Sequence, residues 1–333
     1  MSNPEAGNLS AGRLVVSPSP HIHSGRSTTE IMRDVLIALA PAAVASVIVF
    51  GWRAALVIAV CIVSAVFFEW GFQKLTKRRG TIGDLSAAVT GVILAFNLPA
   101  SIPLWQAALG SAIAIILVKQ LFGGIGKNFA NPAITARIAL FLAFSRTMTS
   151  FSMGAATSAS PAADAITGAT PLALAKIAAQ GGEQAASALA HMPSKLTLFL
   201  GNHAGCLGEV SALALVIGFA FLLLRRVISW ETPVVYVAVV FGLSAAFGRD
   251  PVDAVLSGGL LLGAVFMATD YVTSPMSFKG RVVFAIGAGF FTTVIRVFGS
   301  YPEGVSFSIL LMNILTPYID KFTIKKPLGG GAA

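Results

Sequence analysis

The stretch that could do chemistry lies at residues 164–172 and reads "DAITGATPL". Thr170 followed by Pro171 predicts the N-cap and first position of a short helix, which a glycine pair at 181–182 would end. The same position is where a phosphate binds well, because free N–H groups and the helix dipole point at it. The residues alone leave two interpretations open, a helix cap in a loop and a hydroxyl that accepts a phosphate.

The chain around this stretch has the composition of a membrane protein. Of its 333 residues, 56% are hydrophobic and 11% are charged, and a helical crossing needs roughly 20 apolar residues. Apolar runs lie at residues 35–50, 54–72, 104–122, 207–224, 233–247, 254–268 and 282–298. Shorter or interrupted runs lie at 85–96, 132–144 and 305–318. We therefore predict an all-α polytopic membrane protein with about ten transmembrane helices.

The basic residues predict the orientation of these helices. With the N-terminus in the cytoplasm, most Lys and Arg fall on the inner side, including a basic run at 74–79, as the positive-inside rule requires. The net charge of +9 then reflects topology and contact with anionic membrane lipid, and it predicts no nucleic-acid partner. The expected location is the bacterial inner membrane, with both termini cytoplasmic and the Thr170 loop external.

This topology divides the chain into five parts. The predicted parts are a cytoplasmic tail (1–30), a first five-helix membrane repeat (31–149), an external loop (150–206), a second five-helix repeat (207–321) and a C-terminal cytoplasmic tail (322–333). Five crossings before the loop and five after it would be inverted relative to each other, and such repeats place broken helices around a central site.

Four segments together resemble one known family. They are the "TGAT" of 167–170, the glycine-rich turn at 121–133, the "GCLGEVS" of 205–211 and the "FMATDYVTSP" of 266–275. The chain is similar to the D subunit of the Rnf-type ion-translocating electron transport complex, a relative of the B subunit of the sodium-pumping NADH:quinone reductase. Two departures are Ala165 and Cys206, where the family often has glycine and serine.

The resemblance implies a covalent flavin. In the family a flavin transferase attaches FMN through a phosphoester to the last threonine of the motif, here Thr170. The motif residues that surround it are Asp164, Thr167, Gly168 and Ala169. Thr167 itself would carry no flavin. Some members also bind a noncovalent riboflavin.

Four polar residues outside the loop are candidate flavin contacts. Arg137, in the run 132–144, could pair with a phosphate or a flavin carbonyl, or could form a structural salt bridge. Asn128 and Asn131 could bind a second flavin or satisfy a re-entrant backbone, and Asp270 could end a helix or contact a cofactor. Two further acids, Glu69 and Asp84, are expected to snorkel or to cap a helix.

The resemblance implies a redox-driven ion pump of the ferredoxin:NAD oxidoreductase type. Covalent FMN would relay electrons, coupled to Na⁺ or H⁺ translocation. The chain has only two cysteines and no dinucleotide-binding fingerprint, so we predict no metal site and no catalytic residue of its own. Other membrane subunits and peripheral flavin and iron–sulfur subunits are the expected partners.

A solute channel or transporter is the alternative function. The related B subunit is said to share its fold with urea transporters, and a pore with that fold would need no redox group. Composition and topology fit both functions equally. The threonine motif favours the redox subunit, because a pore does not require a phosphate-accepting hydroxyl in an external loop.

Overall fold

The computed structural model describes residues 26–78, 80–151, 169–180, 183–201, 203–209, 211–299 and 303–323. Within those ranges the regular structure is helical and contains no strand, with one isolated β-bridge between Pro99 and Cys206. The prediction of a helical membrane protein is confirmed. The number of ten crossings is not shown by these helices alone. The division into two tails, two repeats and a loop stays a prediction.

The described residues of the first half of the chain form six helices. Their bounds are α1 Thr28–Phe50, α2 Trp52–Leu75, α3 Ser86–Phe96, α4 Leu104–Gln120, α5 Pro132–Ala143 and the short α6 Ser145–Met148. The last eight residues of α4, Ile113–Gln120, form a π-helix. Three helices follow in the predicted loop, α7 Pro171–Gln180, α8 Glu183–Ala190 and α9 Lys195–Leu200.

Six more helices lie in the part of the second half that the structure describes. Their bounds are α10 Ala212–Leu224, α11 Glu231–Ala246, α12 Pro251–Leu256, α13 Leu260–Leu262, α14 Phe278–Phe298 and α15 Val305–Thr323. α13 continues directly into a π-helical turn, Gly263–Met267.

Three of the described helices, α1, α2 and α14, are long and apolar enough to cross a membrane by themselves. Five shorter apolar helices accompany them, namely α3, α4, α5, α10 and α11. Large apolar side chains on the outside of the bundle, such as Ile48 at 73% exposed and Trp52 at 71%, suit contact with lipid.

Local sequence explains where two key helices begin. α1 starts with a capping box in which Ser27 and Glu30 satisfy each other's backbone N–H groups. α5 starts at Asn131, whose side chain accepts hydrogen bonds from the backbone N–H groups of Ala133 and Ile134, with Pro132 at the first helical position.

The centre of the bundle is α3, which is buried along nearly its whole length. Glycines let helices approach it and each other closely. A Cβ at Gly91 of α3 would lie 2.8 Å from the carbonyl oxygen of Cys61 in α2, and one at Gly218 of α10 would lie 2.3 Å from that of Ala38 in α1. Small residues at crossings of this kind allow close backbone packing in membranes.

Two predicted crossings differ from the observed helices. The run 254–268 is divided at Ser257, Gly258 and Gly259, where both glycines have positive φ, 68° and 64°. The break is stabilised by Arg296 of α14, which donates to the carbonyls of Ser257 and Gly258. The run 207–224 is helical only from Ala212, after a 3₁₀ turn at Leu207–Glu209.

Candidate functional site

Thr170 is the N-cap of α7. Its side-chain oxygen accepts a hydrogen bond from the backbone N–H of Ala173 (3.3 Å), and its carbonyl accepts from that of Leu174 (3.0 Å). The predicted cap and the predicted helix of residues 171–180 are confirmed. Thr170 is 6% exposed, whereas Ala169 before it is exposed. Asp164, Thr167 and Gly168 lie outside the described residues.

A cavity of about 290 Å³ adjoins the start of α7, and we call it the α7 cavity. Its lining includes Pro171, Leu172, Lys176, Arg249, Asp253 and Arg296. Lys176 donates to the carbonyl of Gly299, and Arg249 donates to that of Ala175 at 3.2 Å. The described lining residues include three cations, Lys176, Arg249 and Arg296. They include two carboxylates, those of Asp250 and Asp253. The cavity therefore suits an anion.

An ion pair lies at the edge of the α7 cavity. Lys195 donates to Asp250 at 2.8 Å, and this hydrogen bond lowers the pKa of Asp250 and raises the pKa of Lys195. A hydrogen bond to the charged form of each group stabilises that form. Asp250 also caps α12 by accepting from the N–H groups of Val252 and Asp253, so the ion pair and the helix start depend on the same carboxylate.

A second cavity, of about 280 Å³, lies at the N-terminus of α5, and we call it the α5 cavity. Three of the predicted site residues, Asn128, Asn131 and Asp270, line it together. These residues come from the two motifs at 121–133 and 266–275, so the fold joins segments that are far apart in the chain. Val265 and Phe266 add apolar walls.

The polar groups of the α5 cavity are fixed by backbone contacts. Asn131 caps α5, and its own N–H donates to the side chain of Asn313 in α15 (3.2 Å). The carboxylate of Asp270 accepts from the N–H of Val272 and from the hydroxyl of Thr273. Asp270 therefore stabilises the turn that follows the π-helical segment, as predicted for a residue at a helix end.

A buried ion pair between Lys119 and Glu69 borders the α5 cavity. The sequence motifs did not indicate this ion pair. Lys119 donates to Glu69 at 2.8 Å and to Ser86 at 2.6 Å, and both Lys119 and Ser86 line the cavity. The expectation that Glu69 snorkels is wrong, because its residue is 0% exposed. Asp84 accepts from the N–H of Ser86 at the start of α3, so the capping role expected for it is confirmed.

Glu69 also accepts hydrogen bonds from three neutral side chains, those of Gln73, Thr81 and Gln120. The π-helical end of α4 supplies both Lys119 and Gln120. A lysine and a glutamine in succession at the end of an apolar run were the signal that could have identified this site.

Arg137 does not line either cavity. Its Nη1 donates to Asn97 (3.1 Å) and to Ser306 (2.9 Å), and its Nη2 forms an ion pair with Glu303. Nη2 also lies 3.6 Å from the sulfur of Cys206. The structural salt bridge, one of the two roles considered for Arg137, is present, and a flavin contact of Arg137 stays a prediction.

Comparison with known proteins identifies the family. The family model described as "NQR2, RnfD, RnfE family" matches residues 15–329. The chain belongs to this family. The resemblance drawn from the four sequence segments is thereby confirmed.

The similar curated proteins align over nearly their whole length. The D subunit of the Na⁺-translocating ferredoxin:NAD⁺ oxidoreductase complex of Acetobacterium woodii is 46% identical over 318 residues, 95% of each chain. The D subunit of the proton-translocating complex of Clostridium ljungdahlii is 43% identical, over 93% of this chain and 94% of that protein. The D subunit of an ion-translocating oxidoreductase complex of Halorhodospira halophila is 38% identical, over 90% and 91%.

Proposed function

We propose that this chain is the membrane-embedded D subunit of an ion-translocating ferredoxin:NAD⁺ oxidoreductase complex in a bacterial membrane. The observation that carries the proposal is the near-complete alignment with family members that are D subunits of such complexes. The sequence has no dinucleotide-binding fingerprint, and its two cysteines are both buried and free. Other subunits therefore handle NAD⁺ and ferredoxin, and this chain connects electron flow to the membrane.

The first cofactor of the proposal is FMN bound covalently to Thr170. Formation of the phosphoester joins the Oγ1 atom of Thr170 to the flavin phosphate and releases the hydroxyl proton. A flavin transferase that uses a flavin dinucleotide would break the pyrophosphate bond and release the nucleoside monophosphate. When bound, the flavin supplies electron transfer.

The residues around Thr170 fit a phosphate group. The hydroxyl stands at the positive end of a ten-residue helix, where N–H groups and the macrodipole favour an anion. An ester oxygen can still accept the hydrogen bond from Ala173, so modification leaves the cap in place. The α7 cavity next to Pro171 offers Lys176 and Arg249 as cations and Leu172 as an apolar wall.

The second cofactor of the proposal is a noncovalent riboflavin in the α5 cavity. Asn128 and Asn131 carry the amide groups, and Asp270 the carboxylate, that would bind the polar edge or the hydroxyls of such a ligand. Val265 and Phe266 would pack against its ring. These residues would orient the ligand and exclude water.

The proposed topology has ten crossings in two inverted groups of five. Helices α1 to α5 form the first group. α10 to α15 form the second, with α12 and α13 together as one broken crossing. Cytoplasmic termini then place the Thr170 loop outside and the α5 cavity toward the cytoplasm. Accessibility of single cysteines to a membrane-impermeant reagent, at Ala169 and at Lys279, tests this arrangement: labelling from outside should reach Ala169→Cys only.

Deletion of this subunit from a membrane preparation that carries the complete complex tests the function. Ferredoxin-driven NAD⁺ reduction and the accompanying ion movement across sealed vesicles should both be lost, and both should return when the chain is supplied. Ion movement that persists without the chain would contradict the proposal, as would redox-independent solute uptake through the chain alone.

A further inference from the structure

A buried cluster of charged groups lies apart from both cavities. It consists of Arg137, Cys206, Glu209 and Glu303, and we call it the Arg137 cluster. The Sγ of Cys206 and one carboxylate oxygen each of Glu209 and Glu303 lie within 4.8 Å of one another. The Nη2 atom of Arg137 is within 4 Å of all three.

Glu209 has one unsatisfied oxygen in this cluster, although its carboxylate also accepts hydrogen bonds from the backbone N–H and the thiol of Cys206. Its residue is 6% exposed, and its Oε1 atom has no hydrogen-bond donor among the described residues. The closest cation is the Nη2 of Arg137 at 3.9 Å, too far for a hydrogen bond. An ionised carboxylate in this position would be buried with one oxygen unpaired, which costs far more than a buried neutral group.

The neighbouring charged groups do not donate a hydrogen bond to Oε1 of Glu209. Arg137 donates to Asn97 and Ser306 and pairs with Glu303. Arg296 approaches from α14 but donates to the carbonyls of Ala254, Ser257 and Gly258. His203, in the segment before Cys206, is buried, and burial lowers the pKa of its ring. A neutral imidazole adds no positive charge near the cluster.

A metal ion does not fit while Arg137 is in place. The guanidinium already lies among the three atoms that a metal would bind, so a metal would have to displace it. A proton needs no such space. A protonated carboxyl of Glu209 would become a donor beside the Glu303 carboxylate, which lies in the same 4.8 Å group and can accept the hydrogen bond.

Glu303 is the most exposed member of the cluster. Its side chain is 18% exposed, whereas those of Glu209 and Arg137 are 4% and 7% exposed. On the opposite side, the Asn97 amide donates to the carbonyl of Ile93 at 2.7 Å. Ile93 lines the α5 cavity. The cluster is thus separated from that cavity by one turn of α3, about 6 Å along the helix axis.

We propose that Glu209 is a proton-binding site of this subunit, which holds a proton in the resting protein and exchanges it with the outer side through Glu303. The proposal deepens the proposed function and rests on it only for the coupling of this proton to electron flow. Loss of a proton from Glu209 would strengthen its attraction for Arg137, and that would draw the guanidinium away from Asn97 and so loosen the contact beside Ile93.

Infrared difference spectroscopy of the purified complex tests the proposal. The wild-type complex at neutral pH should show the C=O band of a protonated carboxylic acid, and D₂O should shift that band. Glu209→Gln should remove the band, and Glu209→Asp should restore an acid band at a shifted frequency. Glu231→Gln is the matched control, because Glu231 is a buried acid in an ion pair with Arg281 and should not contribute.

Three outcomes would overturn the proposal. They are absence of the band in the wild-type complex, its persistence in Glu209→Gln, and its loss on addition of sodium chloride but not of choline chloride. The last would assign the site to sodium. The same spectrum of a Thr170→Ala complex separates this inference from the flavin proposal, because the acid band should remain whether or not FMN is attached.

Discussion

Arg137 in α5 and Glu303 before α15 form an ion pair that joins the two halves of the chain. The residues are 166 positions apart, and the same guanidinium also donates to Asn97 and Ser306. Arg137 therefore ties α3, α5 and α15 together at one point.

Loss of the Arg137 guanidinium should strongly destabilise the protein. Arg137→Met leaves the carboxylate of Glu303 without its cation, and breaking a buried pair in this way costs about 3–5 kcal/mol. The measurement is thermal unfolding of the purified complex. Arg53→Met is the matched control, since Arg53 donates only to the carbonyls of Ala100 and Ile102 among the described residues and should cost clearly less. Equal losses would contradict the account of the cluster.

Lys119 and Glu69 should behave as a coupled pair. Lys119→Met or Glu69→Gln alone leaves a buried group unpaired and should cost about 3–5 kcal/mol, whereas the double variant should cost less than the sum of the two. A double-mutant cycle on the unfolding midpoints measures this coupling. Strict additivity would mean that the 2.8 Å contact contributes nothing.

Asn131 should have a structural and a ligand-binding effect that can be separated. Asn131→Ala removes the cap of α5 and should cost about 1 kcal/mol, and it should also reduce the noncovalent flavin that copurifies with the complex. Ser277→Ala removes an equivalent cap from α14 away from the α5 cavity, so it should match the stability loss and retain the flavin. Equal flavin loss in both variants would reduce Asn131 to a helix cap.

Asp250 should stabilise the folded protein at neutral pH, and this stabilisation should be lost in acid. Its pKa in the folded state is lowered, chiefly by the hydrogen bond from Lys195, so the unfolded chain takes up the proton first as the pH falls. The stabilisation is then complete above the ordinary aspartate pKa of about 3.9 and is lost as the pH falls toward the lowered value. Unfolding midpoints of wild type and Asp250→Asn should converge below that pH. A difference between the two unfolding midpoints that stays constant across the acid range would contradict the stabilising role of the Asp250 carboxylate.

Local sequence was enough to predict where α7 starts. Thr170 before Pro171 is a cap signal that depends on neighbouring residues alone, and the cap is present. Asn131 before Pro132 is a signal of the same kind and caps α5, but the sequence analysis considered Asn131 only as a flavin contact or a support for a re-entrant backbone. Long-range contacts were not predictable in this way. The break at Gly258 depends on Arg296, 38 positions away, to satisfy its carbonyl, and the apolar run 254–268 gives no sign of that partner.

The candidate site was only partly predictable for the same reason. The motif at 121–133 and the one at 266–275 identified Asn128 and Asp270, but only the fold shows that they share a cavity. Glu69 was expected to snorkel or to cap a helix, and Glu209 was noted only as part of the segment 205–211. Their importance comes from Lys119 and Arg137, which local spacing does not connect to them.

The intact mass of this subunit tests the central claim most directly. The chain is produced with a flavin transferase and compared with Thr170→Ala and with Thr167→Ala, the matched control on the neighbouring threonine. We predict that wild type and Thr167→Ala gain the mass of one FMN phosphoester and that Thr170→Ala has the mass of the bare chain. An unmodified wild-type chain, or a flavin that remains in Thr170→Ala, would contradict the account and leave Thr170 as a helix cap.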